Sequence, residues 1–317
     1  MTYPLKKTGP VFLFPGQGSQ EPGMGRELYE THDFVRELFA EASEIAGLDF
    51  ATLLFQGSPA TLQETINTQL AILLINQAHY LILEHRGIRP ALVMGHSLGE
   101  YSALIAAQAI TLSDAIKVVN HRATAMQYCV EEKKEVGEKD NIYMAAVVSR
   151  KPLNLEYITK VCTGNSYPGQ KVTIANDNSP CQVVLSGHHL ALALACHHLK
   201  SDKKARLILL KTGGPFHTSE MDFAEQELKL CLDDYPIKDP QIPFIANFTA
   251  DFVKTKEEIR HLIPRQVTSQ VRWRESIDRT LKLGYKEFIE CGHGKTLTNL
   301  LHNFDLNINQ TNQPQKL

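Results

Sequence analysis

The sequence predicts an α/β protein, and three observations carry that reading. Residues 11–14 (VFLF) and 91–95 (ALVMG) are short, nearly pure apolar runs, the pattern of central parallel strands. A glycine-rich loop leads from the first run toward a helix, and a helical run follows the second at once. Residues 142–210 then alternate strand, helix, strand, strand, helix, strand. Helices packed around short apolar strands give an α/β core.

The elements follow in order. VFLF stops at Pro15, and GQGSQEPGMGRELY is a glycine-rich loop entering a helix. Residues 32–47 read as a helix with Phe34, Leu38 and Ala42 on one side. QLAILLINQAHYLILE, within 68–84, is apolar almost all round, which predicts a buried helix. Ile88-Arg89-Pro90 ends it before the strand ALVMG, and SLGEYSALIAAQA begins the next helix. A further helix starts at Leu112. The charged stretch EEKKEVGEKDN (131–141) has no periodic apolar face and reads as a surface connection. IYMAAVVS, KVTIAND, CQVVLSG and ARLILL are strands, with helices over 152–163 and 188–200. That order matches the split βαβ, or ferredoxin-like, motif. It predicts a small domain over 129–208, inserted in a large domain made of 1–128 and 209–317. The other arrangement would have these elements extend the main sheet. A helix over 219–233, the strand IPFIANF and a last strand-loop-helix, FIECGHGKTLTNLL, complete the large domain. The tail NINQTNQPQKL is polar and reads as disordered.

Composition narrows the function. The 317 residues suit one large domain carrying a smaller one, and 43% are apolar, enough for a sizeable core. Lys plus Arg total 33 against 35 Asp plus Glu, a formal charge of −2, which argues against a broad nucleic-acid surface. The six cysteines are scattered, with no C-x-x-C pair and no zinc spacing, so no metal site is assigned and reduced thiols in the cytoplasm are expected. The N-terminal apolar run is too short for a signal peptide, and none approaches a membrane span.

Three features point to chemistry. GHSLG (95–99) fits G-x-S-x-G, in which a sharp strand-to-helix turn exposes a serine hydroxyl. Ser97 is the candidate nucleophile, and the Leu98 amide, next in the chain, is a natural oxyanion donor. PGQGSQ (15–20) lacks both the dinucleotide fingerprint and a Walker lysine, so a phosphate cradle is the weaker use for it. Loops leaving parallel strands converge at one sheet edge, where Gln17 can add a second backbone amide. Arg122 falls on the inward stripe of the helix from Leu112. A buried arginine needs an acceptor: an internal carboxylate, water, or a substrate carboxylate held in a two-bond fork.

FPGQGSQ (14–20), GHSLGEYSAL (95–104), Arg122, ANDNSP (175–180) and ECGHGKTLTNL (290–300) together resemble the malonyl-CoA:acyl-carrier-protein transacylase family, in consistent order from about residue 11 to 302. The resemblance implies an α/β-hydrolase-like large domain with an inserted ferredoxin-like small domain. It implies that Ser97 is acylated, that His217 in PFHT is its base, and that the amides of Gln17 and Leu98 form the oxyanion hole. Arg122 is implied to bind the malonyl carboxylate, and Gln266 to orient His217 through its backbone carbonyl. His96, Asn176 and Phe216 are implied as pocket residues, Phe216 as a wall limiting the acyl α-substituent. The implied substrates are malonyl-CoA and the phosphopantetheine arm of an acyl-carrier protein, with no permanently bound cofactor and a monomeric enzyme.

The sequence also departs from the family pattern. Gly214-Pro215 precedes Phe216, Thr218 follows the histidine in place of serine, and Asp177 stands where an aromatic is common. His293 replaces the usual proline, either as a tolerated loop change or as a rim contact with the pantetheine arm or carrier. The competing functions are an acyl hydrolase of the same fold, a non-catalytic carrier-binding scaffold, and a protease or lipase. An inward arginine gives a hydrolase of uncharged acyl groups no advantage. Serine, histidine and arginine together disfavour a scaffold. No aspartate motif supplies the acid partner that a protease or lipase would normally want.

Overall fold

A computed structural model describes residues 9–135, 142–201, 205–210, 214–304 and 309–312. The chain runs β1 (Val11–Phe14), α1 (Arg26–Thr31), α2 (Asp33–Ala46), α3 (Phe50–Phe55), α4 (Pro59–Gln63), α5 (Thr65–His85), β2 (Leu92–Gly95), α6 (Gly99–Ala106) and α7 (Leu112–Glu135). It continues through β3 (Ile142–Ser149), α8 (Leu155–Gly164), β4 (Val172–Ser179), β5 (Gln182–His188), α9 (His189–Ser201) and β6 (Ala205–Leu210). It closes with α10 (Asp222–Asp233), β7 (Phe244–Ala246), β8 (Asp251–Val253), α11 (Lys256–Arg265), α12 (Trp273–Lys282), β9 (Glu287–Glu290), α13 (Thr296–Leu301) and β10 (Asn309–Asn312).

Two separate sheets form. The larger has the order β10-β9-β1-β2-β7-β8 and is parallel except for the β7–β8 hairpin. The period-two side-chain rule divides its core. Phe12 and Phe14 point into a cluster with α5, whereas Val11 and Leu13 join Trp273, Ile277 and Leu297 on the opposite face. Helices therefore cover both faces, as buried parallel strands require. Helix α5 is buried nearly all round and carries Gln69, Asn76 and His79 into the interior.

The smaller sheet is antiparallel, in the order β4-β5-β3-β6. Ala145 and Val147 of β3 pack with α8 and α9, while Met144, Ala146 and Val148 face the other way. That second face roofs the cleft above the large sheet's strand ends.

Two expectations change. Helix α7 continues through residues 131–135 instead of stopping before the charged stretch. Glu and Lys are good helix formers, so a helix can project here without an apolar face, and Gln127 Nε2 donates to Glu131 one turn on at 2.7 Å. Residues 136–141 lie outside the described residues. In the polar tail, Asn309–Asn312 forms a parallel edge strand on β9. An edge strand needs backbone pairing rather than a hydrophobic side, which this run supplies. Among the described residues, no helix is long and apolar enough to cross a membrane.

Candidate active site

The turn 95–99 joins β2 to α6, and its backbone is as sharp as G-x-S-x-G demands. Ser97 has φ 51°, a left-handed conformation that a side-chain-bearing residue keeps only when its surroundings enforce it. Gly95 is required because a Cβ there would lie 1.9 Å from the Gly99 carbonyl carbon and 2.3 Å from the Glu100 nitrogen. The loop after β1 presses on this turn. A Cβ on Gly16 would sit 2.3 Å from the His96 oxygen and 3.5 Å from the Leu98 nitrogen. Gln17 and Leu98 consequently line one cleft of about 530 Å³ with Ser97, His217 and Arg122.

The Ser97 hydroxyl lies 2.8 Å from His217 Nε2, although 120 residues separate them. His217 Nδ1 is 2.8 Å from the Gln266 carbonyl oxygen. A carbonyl only accepts, so Nδ1 carries the proton and Nε2 is left to accept from Ser97 Oγ. His217 is buried, and burial drives its pKa down to about 3. The Gln266 carbonyl opposes that shift, and the Arg122 charge adds to it. The imidazole is therefore neutral at pH 7. Its backbone is also constrained: His217 has φ 61°, and its N–H donates to the Val267 carbonyl at 2.9 Å. Thr218 closes the turn by donating from Oγ1 to the Pro215 carbonyl at 2.7 Å.

Arg122 is 1% exposed. Its Nη1 donates to Gln69 Oε1 at 2.6 Å and its Nη2 to Gln266 Oε1 at 3.1 Å, with Ser97 Oγ 3.5 Å from Nη2. These partners are all neutral, and Arg122 Nε has none among the described residues. Burial pulls the guanidinium pKa down, while Tyr101 and Glu100 support the charge. Gln266 also bridges Glu100 and Arg122 by hydrogen bonds: its Nε2 donates to Glu100 Oε2 and its Oε1 accepts from Arg122 Nη2. Burial pushes the Glu100 pKa up to about 8, against the hydrogen bonds from Asn247 and Gln266. A buried cation with neutral partners, next to the serine hydroxyl, is poised for an incoming carboxylate.

The remaining sequence-predicted residues are brought to the same place. Phe216 and Asn176 line the cleft. His96 Nε2 donates to Asn178 Oδ1 at 2.8 Å, and its ring meets Trp273 edge-on. Asp177, between two cleft-lining asparagines, instead pairs with Arg274 at 3.0 Å. His293 sits 3.1 Å from Glu21 at the surface. Sequence reasoning missed Gln69, Glu100, Asn178 and Asn247. Glu100 lies inside the quoted GHSLGEYSAL, and Asn247 is the polar residue ending the apolar run IPFIAN, a signal that could have been used.

A family model for the acyl transferase domain matches residues 11–307. The chain belongs to the acyl transferase domain family. Curated relatives of this acyltransferase domain include the malonyl CoA-acyl carrier protein transacylase of Bacillus subtilis (strain 168), 39% identical over 291 residues, or 92% of this chain and 89% of the relative. The Staphylococcus aureus (strain MRSA252) protein of the same name is 31% identical over 95% of this chain and 94% of its own. Among solved structures, the malonyl CoA-acyl carrier protein transacylase of Coxiella burnetii superposes with a TM-score of 0.91 at 31% identity, covering 97% of this acyltransferase and 94% of that chain. A malonyl-transacylase solved in complex with a type II polyketide-synthase acyl-carrier protein superposes at 0.90 with 32% identity, covering 96% of each chain. The α/β fold expected from the sequence is thus shared with these enzymes.

Proposed function

We propose that this chain transfers the malonyl group from malonyl-CoA to the phosphopantetheine thiol of an acyl-carrier protein, through a malonyl ester on Ser97. One observation carries the reading. The hydroxyl that faces a neutral, buried His217 at 2.8 Å also lies 3.5 Å from a buried guanidinium whose partners are uncharged. That combination joins a nucleophile and its base to a carboxylate receptor.

His217 Nε2 takes the Ser97 proton as Oγ attacks the thioester carbonyl. The Gln17 and Leu98 amides hold the oxyanion, and CoA leaves as its sulfur receives the proton from His217. Arg122 keeps the carboxylate of the malonyl ester. The carrier thiol then gives its proton to His217 and attacks the ester, and Ser97 recovers a proton as it departs. The Gln266 carbonyl steadies the imidazolium at each stage. Phe216 walls the acyl α-carbon, while His96 and Asn176 complete the pocket. No permanently bound cofactor enters this scheme. We read the sheet of β3–β6 as the inserted small domain expected over 129–208, with α7 crossing its first boundary. The six cysteines are thiols and five are buried, which suits a cytoplasmic enzyme. We take the working unit to be a monomer that meets its carrier protein at the cleft.

The test mixes the protein with malonyl-, methylmalonyl- or acetyl-CoA and a phosphopantetheinylated carrier, and follows the carrier by intact mass. Malonyl-carrier as the main product supports the reading. Mainly free malonate, or equal use of acetyl-CoA, overturns it.

A further inference from the structure

The Ser97 backbone is held from both sides by side chains outside the elbow. Its N–H donates to Asn247 Oδ1 at 2.7 Å, and its carbonyl accepts from Gln266 Nε2 at 2.7 Å. Asn247 directly follows β7, the neighbour of β2 in the large sheet, and is 1% exposed. Every polar group it owns is engaged. Nδ2 donates to the Gly95 carbonyl at 2.6 Å, and the backbone N–H donates to Glu100 Oε1 at 2.5 Å. The backbone carbonyl accepts from the Arg272 N–H at 3.0 Å. Three of these four bonds end on the stretch from Gly95 to Glu100.

The chemistry of the side chain is specific to the task. Gly95 presents an acceptor and Ser97 a donor, two residues apart across the sharpest part of the turn. Only a group carrying both an acceptor and a donor bridges them. A primary amide does so, an apolar isostere leaves both backbone groups buried and unpaired, and an ionised carboxylate offers no donor to Gly95. The bridge lies across the residue at φ 51°, where an enforcing contact is needed.

We propose that Asn247 is a positioning residue for acyl transfer. Its amide staples the Ser97 N–H and the Gly95 carbonyl, and so fixes the left-handed backbone that aims Ser97 Oγ at His217. Glu100 orients Asn247 through the backbone N–H. The inference rests on the reading of Ser97 as nucleophile, so its test uses a probe that needs neither Arg122 nor a carrier protein.

That probe is a small alkyl fluorophosphonate. Ser97 Oγ bonds to phosphorus, fluoride leaves, and the hydroxyl proton passes to His217. Labelling rates are measured by intact mass on full-length wild type, Asn247→Ala, Asn247→Asp, and a control, Ile277→Val, whose change lies in the core on the opposite face of the sheet. Asn247→Ala is expected to label at least about tenfold more slowly, because a small misplacement of a reacting atom costs that much or more. Ile277→Val is expected to label at the wild-type rate. Asn247→Asp supplies the rescue. A protonated carboxyl again offers one donor and one acceptor, so its rate relative to wild type should rise several-fold as pH falls from about 8 to about 5.5. A structural role alone predicts no such pH-linked recovery among folded molecules. Asn247→Ala labelling at the wild-type rate would overturn the proposal, and so would a flat Asn247→Asp ratio across that range. If Asn247→Ala does not fold, the Asn247→Asp ratio decides alone. Wild type that does not label at Ser97 would sink the nucleophile reading, and this inference with it.

Discussion

His217 is neutral because it is buried, and stays correctly protonated because the Gln266 carbonyl accepts only from Nδ1. The histidine thus needs a carbonyl, not a carboxylate, as its orienting group. With its pKa lowered from 6.5 to about 3, it remains a base well below the usual imidazole range. The acid limb of kcat/KM for malonyl-CoA should accordingly fall clearly below pH 6.5, and a limb at or above that value would contradict this. The same shift bears on stability. Between pH 6.5 and 3 the unfolded chain binds the extra proton, so the contribution of His217 is present above 6.5 and lost as pH falls toward 3. Arg122 supplies the second residue-scale prediction. Arg122→Ala should slow malonyl transfer by about a hundredfold, the worth of roughly 3 kcal/mol in charge-assisted hydrogen bonds. Transfer of acetyl should change by less than about tenfold, since it never used the guanidinium. Steady-state rates on the two thioesters check the contrast.

Among elements, the elbow decides the site. Strand β2, the turn and α6 are too tightly joined for a Cβ at Gly95, where the obstacle is the backbone of Gly99 and Glu100. Gly95→Ala should cost about 1–3 kcal/mol or more in thermal unfolding and also lower activity in the folded fraction. Much of this was legible in the sequence. VFLF, ALVMG and GHSLG show strand, strand and elbow by local pattern, and the structure puts each within a residue or so of its expected place. Arg122 was legible as inward-facing from helical spacing, but its neutral partners Gln69 and Gln266 come from other helices or their ends and have no local signal. Asn178, rather than Asn176, holds His96, because a β-strand places both on the cleft side and only the three-dimensional fit distinguishes them. Helix α7 outran its expected end because propensity, not amphipathicity, sustains its last turns. Helices α11 and α12 escaped a reading based on long apolar stripes, although α12 carries the buried Trp273.

At the scale of the molecule, two sheets meet over the cleft, and polar contacts join them. Asp177 of β4 pairs with Arg274 of α12, and the 175–177 backbone bonds to Val271. Asp177→Ala should remove this ion pair and cost about 1 kcal/mol or somewhat more, less than for a fully buried pair, because the Arg274 side chain is partly exposed and Asp278 still faces it. Faster hydrogen exchange in β4, with β1 and β2 unchanged, would locate the effect. Glu100 couples the elbow to overall stability in the opposite pH direction from His217. Its folded pKa is raised from 4.5 to about 8, so the folded state is most favoured below 4.5 and loses that advantage as pH rises toward 8. Relative to wild type, Glu100→Gln should therefore gain unfolding free energy progressively across that window, as read from denaturant melts at several pH values. Malonyl transfer by this route passes through a covalent malonyl group on Ser97 that moves to the carrier thiol. The most direct measurement mixes the protein with malonyl-CoA alone, maps any adduct by peptide mass, then adds the phosphopantetheinylated carrier. We expect one malonyl group on Ser97, none on Ser97→Ala, and its appearance on the carrier thiol during the chase. An adduct elsewhere, or one on Ser97 that only hydrolyses when the carrier is added, would contradict the account.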